Sequence, residues 1–152
     1  MITINLICVG NLKEQFSKNN QDEYLKRLGA FCKVNVIEIK EQNHLENPNL
    51  ILQKEGEEIL KKLKGHVILC DLGGKEISSV EFANLIDKTS QLDSTISFVV
   101  GGSYGVSEEV KRSAKEKICF SKMTFPHNLF RIMLLEQIYR GFTILAGKTY
   151  HK

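Results

Sequence analysis

Five apolar runs, rich in β-branched residues, recur along the chain and alternate with segments of helical length. The runs cover Ile2–Val9, Val34–Ile39, Val67–Cys70, Ile96–Val100 and Ile118–Phe120. The predicted helices cover Asn19–Leu28, Asn49–Leu63, Val80–Thr89, Glu108–Lys115 and Pro126–Ala146. Almost continuously apolar strands that alternate with helices are typical of parallel sheets covered on both faces. The pattern therefore predicts an α/β fold, with a mainly parallel sheet flanked by helices, in one domain over residues 1–152.

The last predicted helix is apolar around most of its circumference, whereas one buried stripe needs only about a third of a helix surface. Its apolar residues are Leu129, Phe130, Ile132, Met133, Leu134, Leu135, Ile138, Tyr139, Phe142, Ile144 and Leu145. Arg131, Glu136 and Arg140 interrupt this run, which argues against a membrane span. We expect the helix to pack against its own sheet and against a second subunit, which predicts a homodimer. An unusually central helix in a monomer is the alternative.

Charge is distributed unevenly along the 152 residues, whose net charge is +3. Residues 111–152 carry nine basic side chains against two acidic ones, whereas residues 1–110 carry an acidic excess. The basic residues of this last third are Lys111, Arg112, Lys115, Lys117, Lys122, Arg131, Arg140, Lys148 and Lys152. Such a segment indicates a polyanionic partner such as nucleic acid. A solvated basic surface without a partner is the alternative.

Several classes of function are disfavoured by the residues that the chain contains. The cysteines Cys8, Cys32, Cys70 and Cys119 have no metal-binding or redox spacing, so we expect buried thiols in a reducing cytoplasm. No histidine has a Cys, Asp or Glu at ligand spacing, so we expect no metal site. No apolar run has the length of a membrane span, and the N-terminus does not resemble a signal peptide.

Three segments that follow predicted strands carry the candidate chemistry. Asp71–Lys75 and Gly101–Gly105 are loops that contain glycine, and Phe120–His127 is polar and aromatic. Because ligands of open α/β sheets bind at the carboxyl ends of the strands, we expect these segments to form one pocket. The Gly101–Gly105 loop has neither dinucleotide-binding nor P-loop spacing. Glu108 and Glu109 occupy the next helical turn, where a phosphate would bind, so we expect a ligand that is not strongly anionic.

Each of these signals also has a structural interpretation. The Gly101–Gly105 loop fits a tight turn, and His127 fits a capping position at the start of the last helix. The terminal residues Tyr150–Lys152 form a frayed end by default. On spacing alone, these alternatives stay open.

A specific order of motifs covers the chain from Val9-Gly10 to the last residue. The motifs are Lys54-Glu55-Gly56-Glu57, Gly101-Gly102-Ser103-Tyr104-Gly105, Phe120–His127, Leu135-Glu136-Gln137-Ile138-Tyr139-Arg140 and Tyr150-His151-Lys152. In this order they resemble the bacterial large-subunit rRNA pseudouridine N3-methyltransferase family of the SPOUT superfamily. The resemblance implies a homodimer with a SPOUT-type α/β knot, in which the C-terminal part of the chain forms a trefoil knot.

The resemblance also implies a cofactor, a substrate and a set of site residues. The methyl donor would be S-adenosylmethionine, and the acceptor would be a pseudouridine in the helix 69 loop of 23S rRNA, in the assembled ribosome. The implied donor pocket comprises Cys70, Gly101, Gly105, Phe120, Ser121, Lys122, Met123, Thr124 and Phe125. We expect catalytic roles for His151, as the base for the N3 proton, for Arg131, as a cation that stabilises the imide anion, and for Tyr150.

Two other functions compete with this interpretation. One is a basic RNA-binding module without catalysis, which would not bind S-adenosylmethionine. The other is a SPOUT enzyme that acts on tRNA, although such enzymes often carry an extra RNA-binding domain for which this chain has no room.

Overall fold

The computed structural model describes residues 1–152 and contains five strands and five helices in alternation. The strands are β1 (Thr3–Val9), β2 (Lys33–Ile39), β3 (His66–Glu76), β4 (Thr95–Val100) and β5 (Glu116–Cys119). The helices are α1 (Gln15–Leu28), α2 (Pro48–Lys62), α3 (Ser79–Leu92), α4 (Glu108–Ser113) and α5 (His127–Leu145). All ten predicted elements are present, so the predicted α/β fold is confirmed.

The strands form one parallel sheet in the order β2-β1-β4-β3-β5. On one face lie α1, α3 and α5, and there Phe82 and Leu134 pack with Phe98 of β4. On the other face lie α2 and α4, which contribute Ile59 and Val110 to a second core. Both faces of the central strands are therefore buried, which explains why their apolar runs are continuous rather than alternating.

Side-chain caps determine where three of the helices begin. Asn47 caps α2, and the hydroxyl of Ser107 accepts a hydrogen bond from the N–H of Val110 at the start of α4. Ser78 and Glu81 form a reciprocal capping box at α3, in which each side chain accepts from the backbone N–H of the other residue. These bonds satisfy N–H groups that have no partner inside the helix, and they fix the loops that lead into the helices.

The third strand is longer than predicted. The sequence predicted a loop over Asp71–Lys75, but β3 continues through it, with an irregularity between Cys70 and Lys75. Beyond this irregularity Lys75 pairs with Ile118 of β5. A Cβ on Gly74 would lie 2.6 Å from the backbone of Ile118, so glycine allows the two strands to approach closely here. The end of the apolar run at Cys70 therefore marks a bulge and not the end of the strand.

The chain returns from β5, at the edge of the sheet, to place α5 against both α3 and α1. Gly141 permits the close approach to α3, because a Cβ there would lie 3.2 Å from the Cδ1 of Ile86. This return over the sheet is consistent with the predicted trefoil knot. None of the five helices combines the length and the apolar character needed to cross a membrane.

Candidate active site

A cavity of about 180 Å³ opens at the carboxyl ends of β4 and β5, beside the irregularity in β3. Its walls come from residues 70–72 of β3, the β4–α4 loop and the β5–α5 loop, which overlap the three segments that the sequence singled out. Of the nine residues implied for the donor pocket, eight line this cavity: Cys70, Gly101, Gly105, Phe120, Ser121, Met123, Thr124 and Phe125. Lys122 is the exception, because it is exposed and does not contribute to the lining.

The β4–α4 loop is a tight turn that depends on glycine. Gly102 and Gly105 form an isolated antiparallel bridge, and the N–H of Gly105 donates to the carbonyl of Gly102 at 3.0 Å. Gly105 has a φ of +81°, in the left-handed region that favours glycine. A Cβ on Gly101 would lie 2.6 Å from the carbonyl oxygen of Gly105. The backbone therefore approaches the cavity without intervening side chains, and its polar groups are available to a ligand.

Aromatic packing holds the β5–α5 loop beside the cavity. The ring of Phe120 lies 4.8 Å from that of Phe130 on α5 and 6.2 Å from that of Phe82 on α3, measured between centroids. The Sγ of Cys119 donates to the carbonyl of Ser121 at 2.9 Å, and the Ser121 hydroxyl accepts from a backbone N–H two residues further on. A wall of this kind suits a flat heterocyclic ring.

The cavity lining contains no lysine and no arginine. Its titratable side chains are Asp71, His127, Cys70 and Cys119. Burial raises the pKa of the Cys70 thiol, so this group stays protonated and serves as a packing residue. Burial also raises the pKa of the nearby Cys8 thiol, to about 12. A cavity without cationic side chains suits a neutral or positively charged ligand, as the acidic first turn of α4 predicts.

Comparison with known proteins decides the family. The model of a family described as predicted SPOUT methyltransferase matches residues 2–151. The chain belongs to the SPOUT methyltransferase family. A protein of Clostridium botulinum (strain Kyoto / Type A2), named ribosomal RNA large subunit methyltransferase H, is 50% identical over 99% of this chain and 100% of the relative. The protein of the same name from Clostridium beijerinckii is 46% identical over the same shares. These findings confirm the resemblance to large-subunit rRNA methyltransferases of the SPOUT superfamily that the sequence motifs indicated.

Arg131 of this SPOUT methyltransferase, for which the sequence predicts a catalytic role, is not among the residues that line the cavity. Its side chain is 1% exposed and forms an ion pair with Glu38 at 2.7 Å. The guanidinium also donates to the carbonyl of Gly10 at 2.9 Å and to the side chain of Gln21 at 3.3 Å. We therefore interpret Arg131 as a residue that ties α5 to the ends of β1 and β2.

Tyr150 and His151 are docked on α5, so they do not form the frayed end that the structural interpretation of the tail allowed. The hydroxyl of Tyr150 donates to Glu136 at 2.8 Å, and the guanidinium of Arg140 lies 4.7 Å from the centre of the Tyr150 ring. Arg140 also pairs with Glu136 at 2.8 Å and donates to the Nδ1 of His151 at 3.1 Å. Tyr139 packs edge-on against Tyr150. Burial, together with the bond to Glu136, raises the pKa of Tyr150 to about 12.

The docked tail lies away from the cavity of its own subunit. His127 stands at the start of α5 beside the cavity, whereas Glu136 and Arg140 lie nine and thirteen residues further along the helix. A rise of about 1.5 Å per residue places them about 14 and 20 Å from the helix start. One chain by itself therefore does not bring Tyr150 or His151 to the pocket.

The sequence did not predict the acidic side chains that lie beside His127. His127 itself belongs to a segment expected to line the pocket, with a capping position as the alternative. Its side chain lines the cavity, and its Nε2 lies 3.7 Å from Oε1 of Glu41. Glu55 is 4% exposed and accepts a hydrogen bond from the N–H of Gln42 at 3.1 Å. Burial raises the pKa of Glu55, and Glu41 raises it further, whereas His127 lowers it. These groups come from α2, α5 and the loop between β2 and α2, so no local spacing connects them.

Proposed function

We propose that the protein transfers a methyl group from S-adenosylmethionine to N3 of a pseudouridine in the helix 69 loop of 23S rRNA, in the assembled ribosome. The observation that carries this proposal is the cavity at the carboxyl edge of the sheet, lined by eight of the nine residues that the resemblance implies. Relatives that this chain matches over their full length, and that are named ribosomal RNA large subunit methyltransferase H, support an rRNA acceptor. The enzyme would act in the cytoplasm, where ribosomes are found.

The residues of the cavity fit this donor. S-adenosylmethionine carries a sulfonium, an ammonium and a carboxylate but no phosphate, and the lining holds no lysine or arginine that would recognise a phosphate. Backbone groups of Gly101–Gly105 would bind its polar edges, and Phe120 and Phe125 would pack against its adenine ring. Asp71 would attract its positive charge. When bound, the donor supplies an electrophilic methyl group, and the chain aligns it with the acceptor nitrogen.

A homodimer would complete the site. Leu129, Met133 and Ile144 lie on one outer face of α5, and Leu129 is 51% exposed. We propose that a second copy of the chain covers this face, as the apolar circumference of the helix predicts. The second subunit would then bring its own Tyr150 and His151 to the cavity, which the tail of the same chain does not reach.

The basic C-terminal third would bind the phosphates of the RNA. Lys122 is exposed on the β5–α5 loop at the edge of the cavity, and Lys148 and Lys152 are exposed near the tail. Phosphate contacts position an RNA without reading its sequence, so the choice of nucleoside would depend on the cavity and the tail. We therefore assign Lys122 to RNA binding and not to donor binding.

Transfer of a labelled methyl group from S-adenosylmethionine tests the proposal against its alternatives. Ribosomes, separated subunits, free rRNA and tRNA are incubated in parallel with the protein, and donor binding is measured by calorimetry. We expect incorporation into ribosomes and none into tRNA. Incorporation into tRNA alone would identify a tRNA methyltransferase, and absence of both transfer and donor binding would identify an RNA-binding module.

A further inference from the structure

Methylation at N3 requires the acceptor nitrogen to lose a proton, and the cavity offers few groups that can take it. Among its titratable side chains, Cys70 stays protonated because burial raises its pKa, and Cys119 donates its thiol hydrogen to a backbone carbonyl. The remaining two are the carboxylate of Asp71 and the imidazole of His127. Of these side chains, imidazole is the one that most often serves as a general base.

Its neighbours hold the ring of His127 in a defined place. The side chain is 26% exposed, and Nε2 lies 3.7 Å from Oε1 of Glu41. Gly10, which has a φ of +94°, leaves room for the ring, because a Cβ there would lie 3.2 Å from Nε2. A carboxylate beside one ring nitrogen is a feature of histidines that act as general bases, because it orients the ring and leaves the second nitrogen to take a proton.

We propose that His127 is the general base of the methyl transfer, and that Glu41 is a positioning residue that orients its ring. The inference rests on the proposed function, because the proton comes from N3 of the pseudouridine. Nδ1 of His127 takes this proton, and the electron pair of the N–H bond stays on N3. N3 then bonds to the methyl carbon, and the sulfur–carbon bond breaks with its electron pair returned to sulfur. The products are N3-methylpseudouridine, S-adenosylhomocysteine and an imidazolium that releases its proton to water.

Charged side chains surround His127 from several elements. Glu41 faces it from the β2–α2 loop, with Oε1 at 3.7 Å from Nε2. Glu41 and His127 act in opposite directions on the pKa of the buried Glu55 of α2. Arg131, one turn further along α5, is paired with Glu38 at 2.7 Å, so its positive charge is offset. Glu41 is therefore the partner that can orient the ring of His127.

Single-turnover methylation of ribosomes at saturating donor, measured from about pH 5.5 to about pH 9, tests the proposal. The wild-type rate should decrease at the acid end of this range, because a base that is already protonated cannot take the N3 proton. We call this decrease the acid fall. His127→Asn should lower the rate at neutral pH by about 100-fold or more and remove the acid fall. Glu41→Gln should lower the rate less and keep the acid fall, because the base itself is still present.

The control variants separate the role of a base from that of a structural residue. His44→Asn changes an exposed histidine outside the cavity lining and should keep the wild-type rate and pH profile. Thermal unfolding and donor calorimetry identify folded variants, and His127→Gln replaces His127→Asn if the latter does not fold.

Three results would overturn the proposal. The first is an unchanged rate in His127→Asn, and the second is a lower rate that keeps the wild-type acid fall. The third is loss of the acid fall in His151→Asn while His127→Asn retains it, which would assign the base to the tail. Failure of the wild-type protein to methylate any ribosomal substrate is a different result and would contradict the proposed function itself.

Discussion

A single methyl group added at Gly101 tests whether the β4–α4 loop forms the donor pocket. In Gly101→Ala the new Cβ would lie 2.6 Å from the carbonyl oxygen of Gly105, and 2.8 Å from its carbonyl carbon and from Val106 Cγ1. Ordinary contacts of a Cβ begin at 3.4 Å, so the loop must move by about 0.8 Å. Two of the three atoms belong to the backbone, so a change of rotamer does not relieve the overlap.

A movement of this size would disrupt one or two backbone hydrogen bonds to the donor. Each is worth about 0.5–1.5 kcal/mol, so the loss amounts to about 0.5–3 kcal/mol. Donor affinity should therefore fall about 2- to 150-fold. Overpacking typically costs about 1–3 kcal/mol of stability, which a domain of this size tolerates, so the variant should still fold.

Two other glycines provide matched controls for Gly101→Ala. Gly105 has a φ of +81° with open space around its Cβ position, so Gly105→Ala tests backbone strain inside the loop without a clash. Gly147 has a φ of +70° and similar open space but lies outside the cavity. In calorimetric titrations with S-adenosylmethionine, Gly101→Ala should lose most affinity and Gly147→Ala none. Wild-type affinity in a folded Gly101→Ala protein would refute the assignment of the donor site.

Three further predictions concern the dimer, the tail and a buried carboxylate. Met133→Asp should give a folded monomer in sedimentation experiments, because association would bury the new charge on the outer face of α5. A wild-type protein that is monomeric at micromolar concentration would refute the dimer. Phe142→Asp should instead destabilise each subunit, since Phe142 stacks on Phe31 at 5.6 Å. Deletion of residues 150–152 should lower the rate of ribosome methylation at least about 100-fold and leave donor binding intact. The same deletion should lower the melting temperature, because the contacts of Tyr150 are lost. Near-normal turnover would show that the tail is not needed. Burial raises the pKa of Glu55 in the folded state, so this side chain contributes its full stability at acid pH and loses it as the pH rises through the folded value. Glu55→Gln should therefore raise the melting temperature at pH 7 and not in acid, and no gain at pH 7 would contradict this.

The alternation of strands and helices could be predicted because each element has its own pattern of apolar and polar residues in the sequence. Central strands such as β1 and β4 are buried on both faces, which requires the continuous apolar runs that the sequence shows. Glycine-containing segments after such strands must lie at the carboxyl edge of a parallel sheet, so a pocket at this edge followed from topology. The acidic first turn of α4 predicted a ligand without phosphate, in agreement with a lining that has no lysine or arginine.

The features that could not be predicted depend on contacts between distant parts of the chain. Arg131 bonds to Glu38, 93 residues away, and no local pattern indicates this ion pair. The extension of β3 depends on pairing with β5, which the short apolar run at Ile118 does not reveal. Tyr150 docks on Glu136 of α5, a residue 14 positions before it. The sequence placed His127 in a pocket segment, but its contact with Glu41 joins two distant elements and has no sequence signal.

Mapping the methylated nucleoside tests most directly whether this SPOUT methyltransferase modifies large-subunit rRNA. Unmethylated ribosomes are incubated with the protein and S-adenosylmethionine, and the 23S rRNA is digested and analysed by mass spectrometry. We predict one new methyl group, on N3 of a pseudouridine in the helix 69 loop, that is absent when the donor is omitted. A methyl group on any other nucleoside, or none on 23S rRNA although the donor binds, would contradict the proposed function.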